Sequence, residues 1–126
     1  MTVTRNADLV DVAALEDLEE GKPFSVNVRG REIFVVRWGD ALFAVRNICA
    51  HHSAMLSYGW VQPQLVQGES FFEVDILEDT PVVRCPWHAF GFRLEDGLCV
   101  ADPKLRIRSY RVVVEQDRVY VDLGAP

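Results

Sequence analysis

The sequence lacks any apolar run of the roughly 18 residues a bilayer-spanning helix needs, so no membrane span is expected. It also lacks a basic excess. Lys and Arg number 13 against 19 Asp and Glu, for a net charge of -6. That excludes the basic face of a nucleic-acid binder and suits an acidic protein that docks on a basic partner. Cysteine is scarce: Cys49, Cys85 and Cys99 are the whole supply. Three thiols make no disulfide framework, and an odd count leaves one over in any pairing. The opening "MTVTRNADLVDV" has no basic segment leading into an apolar stretch, so no signal peptide is read there and a cytoplasmic location is expected. There are no internal repeats and no low-complexity tract.

What is present reads as one β domain. The 126 residues, 49% hydrophobic and 25% charged, fit a single domain (1–126) with a core of moderate size. Residues 12–20, "VAALEDLEE", predict one or two helical turns with a solvated acidic face, ended by Gly21 and Pro23. Strand signals dominate after that. "FSVNV" (24–28), "REIFVVRW" (31–38) and "LFAVRN" (42–47) are separated by the turn pairs "RG" and "GD". "YRVVVE" (110–115) and "RVYVDL" (118–123) flank "QD" as a second hairpin. "FFEVDIL" (71–77) and "VVRC" (82–85) are two further strand candidates. The expected fold is all-β, an antiparallel sandwich or barrel.

Residues 48–104 differ in composition: they hold four of the six prolines and all three histidines. Two short patterns stand out. "CAHH" gives Cys49-x-His51, and "CPWH" gives Cys85-x-x-His88, separated by the 33 residues 52–84. Each pattern offers one sulfur and one nitrogen donor, spaced so that a tight turn can aim both at one centre. Either pair alone is weak evidence, because isolated cysteines and histidines are commonly ordinary core or loop residues. Together they predict a metal site. Structural zinc takes such a Cys₂His₂ set, although zinc fingers usually order it Cys, Cys, His, His, with the histidines on a helix. Alternating Cys-His pairs on two β loops favour a two-iron cluster.

With its flanks the pattern resembles the Rieske-type iron–sulfur proteins. "YGWV" follows the first pair, "CPWHAFGFRLEDG" surrounds the second, "YRVVVEQDRVYVDL" is similar to the closing hairpin, and the stretch up to "NICAHH" is similar to the first sheet. The similarity covers about residues 9–123. It implies a Rieske-like β fold with a two-loop cluster-binding subdomain and one 2Fe–2S cluster. Cys49 and Cys85 would hold the inner iron; His51 and His88 would hold the outer iron near the surface. Replacing two thiolates by neutral imidazoles removes negative charge and raises the reduction potential. The resemblance further implies a soluble ferredoxin that takes one electron from a reductase and passes it to an oxygenase or other acceptor, with no active site of its own. A relay subunit of a larger oxidoreductase, nitrite-reductase-like, is the alternative; a structural zinc module is the alternative of another class. An intact oxygenase subunit needs a mononuclear iron held by two more histidines and a carboxylate, and only His52 is left.

Two departures from the family carry information. High-potential members place a disulfide across the two loops, where this chain has Ala54 and Trp87, and hydrogen-bond the cluster sulfurs from a serine and a tyrosine, where it has Phe90 and Phe92. Fewer hydrogen bonds to sulfur predict a low potential. The stretch between the loops is also longer than the family pattern, with the excess at about 62–79. Of the remaining residues, Cys99 is read as a small buried apolar group, His52 as a solvated loop residue, and Trp38 and Trp60 as core or hairpin packing.

Overall fold

The computed structural model of the chain describes residues 8–48, 55–69, 73–86, 91–102 and 104–124. They contain nine strands: β1 (Leu9–Ala14), β2 (Phe24–Val28), β3 (Arg31–Trp38), β4 (Ala41–Arg46), β5 (Trp60–Gln67), β6 (Val74–Arg84), β7 (Gly91–Arg93), β8 (Ser109–Glu115) and β9 (Arg118–Asp122). All ladders between strands are antiparallel. Six strands form one sheet in the order β1-β9-β8-β4-β3-β2, whose outer strands β1 and β2 approach each other to give a barrel. The other three form a small sheet, β5-β6-β7. The all-β expectation is met.

The helical expectation for residues 12–20 is not. Residues up to Ala14 belong to β1, which pairs with β9 across a bulge between Asp11 and Ala13. Only Leu15–Asp17 coil, as one 3-10 turn, before Leu18 turns inward at 3% exposure. Alanine, leucine and glutamate favour a helix locally, but a stretch this short is marginal alone. Pairing with β9 and burial of Val10, Val12 and Ala13 in the barrel interior decide the outcome. The acidic side chains Glu16, Asp17, Glu19 and Glu20 remain exposed.

Hairpin turns fix the register. Arg29 and Gly30 connect β2 to β3 with φ of 52° and 83°; Gln116 and Asp117 connect β8 to β9 with φ of 51° and 61°. Two successive positive φ values match the strand twist.

The run Ile33-Phe34-Val35-Val36 in β3 is wholly buried, and its alternation divides it between two cores. Ile33 and Val35 face the barrel interior with Ala13, Val28, Val119 and Val121. Phe34 and Val36, with Val45 of β4, face a second core that includes Leu56, Val83, Cys85, Phe92 and Cys99. A continuous apolar run in an antiparallel strand thus marks burial on both faces. The second core seats the small sheet on the outside of the barrel.

The two strand candidates at 71–77 and 82–85 form a single long strand, β6, which pairs with β5 from Arg84 down to Val74. Residues 78–80 bulge out between the pairs Pro63–Pro81 and Gln64–Leu77. Proline lacks the N–H that a regular ladder requires, which suits this break. Phe71 and Phe72 lie outside the described residues. Trp60 departs from the packing expectation: it is 47% exposed, and its indole N–H donates to Gln62 Oε1 at 2.8 Å. Trp38 closes a hairpin as expected, and its indole N–H also reaches across to the Glu78 carbonyl at 2.7 Å.

Candidate metal centre

Both ligand segments leave the same end of the small sheet. β6 ends at Arg84 and β7 begins at Gly91, and these two residues are paired, so residues 85–90 connect neighbouring strands. β5 begins at Trp60, opposite Arg84 on its other side. Neighbouring strands lie about 5 Å apart. The chain arriving from Cys49 and His51 therefore meets the sheet next to the root of the segment with Cys85 and His88.

One contact holds these roots together, and a second closes the first of them. Gly59 lies against the backbone of Arg84: a Cβ there would stand 1.8 Å from the Arg84 carbonyl oxygen. Only glycine permits that approach. Asn47, fully buried, closes the first segment at its base. Its amide N–H donates to Ser57 Oγ at 2.9 Å, and its carbonyl oxygen accepts the Ser57 backbone N–H at 2.7 Å. Its own backbone N–H donates to the Glu32 carbonyl at 2.8 Å, fastening the segment to β3. Neither residue was singled out from sequence. Gly59 lies within "YGWV", but a lone asparagine two residues before Cys49 carries no periodic signal.

Cys85 follows β6 directly and is 1% exposed, in the core with Leu56, Val83, Phe92 and Leu94. A buried thiol suits this surrounding as a neutral group, and a thiolate suits it only when a metal neutralises the charge. Cys99 lies in the same core at 4% exposure, as expected of a small apolar group, and both thiols are free. Among the described residues no three His, Cys, Asp or Glu side chains gather as a metal site, so Cys85 and Cys99 make no centre alone. Cys49, His51 and His88 lie outside the described residues, as do His52, Ala54, Trp87 and Phe90. What is described fits the inner half of a cluster site: a buried soft donor at one segment's root, and the other segment's root pinned beside it.

Behind the site, β7 runs into a turn closed by the Arg93–Asp96 ion pair and by Gly97 at φ 79°. Phe92, fully buried, faces the same core as Cys85 and brings no hydroxyl there. Arg84 lays its guanidinium along Gly91, with Nη1 at 3.4 Å from the position of an added Cβ, which puts positive charge beside the second segment.

A barrel that supports a small three-stranded sheet, with the segments bearing the two Cys-His patterns rooted side by side at its end, defines an all-β protein with a two-segment subdomain. The particular family follows from comparison. Residues 8–111 match the model of the Rieske [2Fe-2S] domain, and the chain belongs to that family. Its cofactor is a 2Fe–2S cluster. The ferredoxin component of the naphthalene 1,2-dioxygenase system of Pseudomonas putida is 27% identical over 116 residues, covering 91% of this chain and 95% of the relative. The ferredoxin of carbazole 1,9a-dioxygenase from Nocardioides aromaticivorans superposes with a TM-score of 0.71 at 32% identity, over 92% of this chain and 98% of that one. A Mycobacterium tuberculosis chain assigned as an NADH-dependent nitrite reductase small subunit shares the fold, with a TM-score of 0.77 at 23% identity, over 94% of this chain and 96% of that one.

Proposed function

We propose that this protein is a one-electron carrier that accepts an electron from a reductase and delivers it to the oxygenase component of a dioxygenase system. It is an electron-transfer protein and no catalyst. The reading is supported by the two relatives named as ferredoxins of dioxygenase systems, each matched along nearly its whole length. The structural observation that carries it is the common root of the two donor segments at Trp60, Arg84 and Gly91.

Cys49 and Cys85 hold the inner iron in this proposal, and His51 and His88 hold the outer one. The cluster supplies a one-electron couple. The protein's part is to hold the donors with little rearrangement, through Gly59 on Arg84 and Asn47 on Ser57, and to keep water from Cys85 with Leu56, Phe92 and Leu94. The whole chain works as one domain. Among the described residues no helix is long and apolar enough to cross a membrane; we place the carrier in the cytoplasm, where a reducing environment keeps its thiols free.

One observation favours a second reading, a relay subunit held on a larger oxidoreductase: Leu65, Val74, Ile76 and Leu77, all in the 62–79 segment, are exposed. A stepwise dithionite titration followed by visible absorbance tests both against a zinc module. Reversible uptake of one electron per chain is expected; a colourless protein containing zinc and no iron would overturn the carrier and relay readings alike.

A further inference from the structure

We propose that the ribbon of β5 and β6 beyond Pro63 and Pro81 is a docking face for a protein partner presenting an apolar strip bordered by lysine and arginine. The inference goes beyond the carrier reading and rests on it only for which end of the sheet carries the cluster.

The ribbon carries no further strand along either edge among the described residues. β7 pairs only with Val82–Arg84, and β5 is the edge of its sheet, so Gln64–Gln67 and Val74–Leu77 have no third strand among the described residues. A two-stranded ribbon is marginal in water without something packed against it. One of its faces is apolar: Leu65 is paired with Ile76, and Val74 lies two residues along on the same side. These three are 44%, 53% and 63% exposed. An exposed apolar strip with polar residues around it is the kind of surface a partner can cover.

Charge selects the occupant. Residues 64–79 contain Glu69, Glu73, Asp75, Glu78 and Asp79 and no lysine or arginine. All five carboxylate residues are exposed; Glu73 and Asp75 alternate with Val74 and Ile76 and so lie on the opposite face, while Glu78 and Asp79 lie at the base of the ribbon. A second copy of this chain would set the same carboxylates against each other, on top of a net charge of -6 per chain; like charges across an interface oppose it. At the base of the ribbon, a 670 Å³ cleft is lined by Glu20, Trp38, Asp40, Glu78 and Asp79. An indole bordered by carboxylates suits a guanidinium or ammonium group. The cleft is no metal site, since no such group of side chains gathers among the described residues.

Position gives the surface its use. Trp60, at the cluster end, and Gln67 are seven residues apart along β5, roughly 23 Å at strand rise. A partner held on the ribbon leaves the cluster end free for electron exchange.

The test uses isotope-labelled holoprotein and, as probe, a peptide of alternating leucine and lysine, with a leucine–glutamate peptide as control. The lysine peptide is expected to shift the amide resonances of Leu65, Val74, Ile76 and Glu78, with binding weakened by salt. L65S/I76S and E78Q/D79N variants, each checked for native visible absorbance, are each expected to lower affinity by about tenfold. Shifts spread over other surfaces, equal binding of the glutamate peptide, unchanged affinity in both variants, or concentration-dependent dimerisation abolished by L65S/I76S would overturn the proposal. None of these readouts involves electron transfer, so their failure leaves the carrier reading standing.

Discussion

At the scale of single residues, the account rests on a few side chains that no substitution should leave silent. Cys85 is buried at the root of its segment, so replacing it with serine removes the thiolate we assign to the cluster and leaves a hydroxyl in an apolar core. Cys85→Ser is expected to lose visible absorbance and to melt earlier; a folded, still coloured variant would contradict its role. Gly59→Ala drives a methyl into the Arg84 carbonyl and separates the two roots. Loss of most of the bound iron is expected by metal analysis, and full retention would show that the contact is dispensable. Asn47→Ala strands a partly buried Ser57 N–H, at a cost of about 1 kcal/mol, which thermal unfolding can check. Phe92→Tyr adds a hydroxyl to the Cys85 core at the place where high-potential relatives of this family bring one. One new hydrogen bond to sulfur, worth about 1 kcal/mol, should raise the midpoint by roughly 40 mV. An unchanged or lower midpoint would place that ring away from the cluster.

At the scale of elements, the sequence was legible where local signals and tertiary demand agree. β2 and β3 fall where alternation and turn residues put them, and β4, β8 and β9 within a residue or so at their ends. The Cys-His patterns stand out by spacing alone, without reference to the fold, and their ligand role remains a proposal. Where the two demands diverge, the reading failed. Residues 12–14 have helix-forming neighbours but are claimed by β9. β5 escaped notice because Pro63 interrupts it, and the bulge at 78–80 hid the continuity of β6. Nor could sequence tell that Gly59 joins the two segments and that Asn47 closes the first, since both contacts arise only when separated parts of the chain meet. The β8–β9 turn offers a test of its own. Gln116 and Asp117 both take positive φ, which asparagine and glycine adopt at lower cost. Gln116→Asn with Asp117→Gly is expected to stabilise the protein by about 1 kcal/mol; a lower melting temperature would mean the native side chains contribute more than the strain they carry.

At the scale of the whole molecule, one barrel supports a small sheet, and the sheet serves two ends. Its upper end roots the donor segments; its lower end is an acidic ribbon with an apolar face. The core between barrel and sheet has Phe34, Val36 and Val45 on one side and Val83, Cys85 and Phe92 on the other; with Cys85 as the proposed ligand, it couples the metal centre to folding. Removing the metal should therefore loosen the small sheet before the barrel, which hydrogen exchange of β6 against β3 would reveal. With Phe90 and Phe92 in place of hydroxyl donors, the midpoint is expected near the low end of the Rieske range, about -150 mV. A value above about +100 mV would contradict the link between sulfur hydrogen bonds and potential in this protein.

The most direct test of the central claim is magnetic. Histidine-labelled protein reduced with dithionite and examined by electron–nuclear resonance should show couplings from two histidine nitrogens to a reduced two-iron cluster, one lost in His51→Ala and the other in His88→Ala. A cluster with no nitrogen coupling, or couplings untouched by both variants, would contradict the assignment of Cys49, His51, Cys85 and His88 as its ligands.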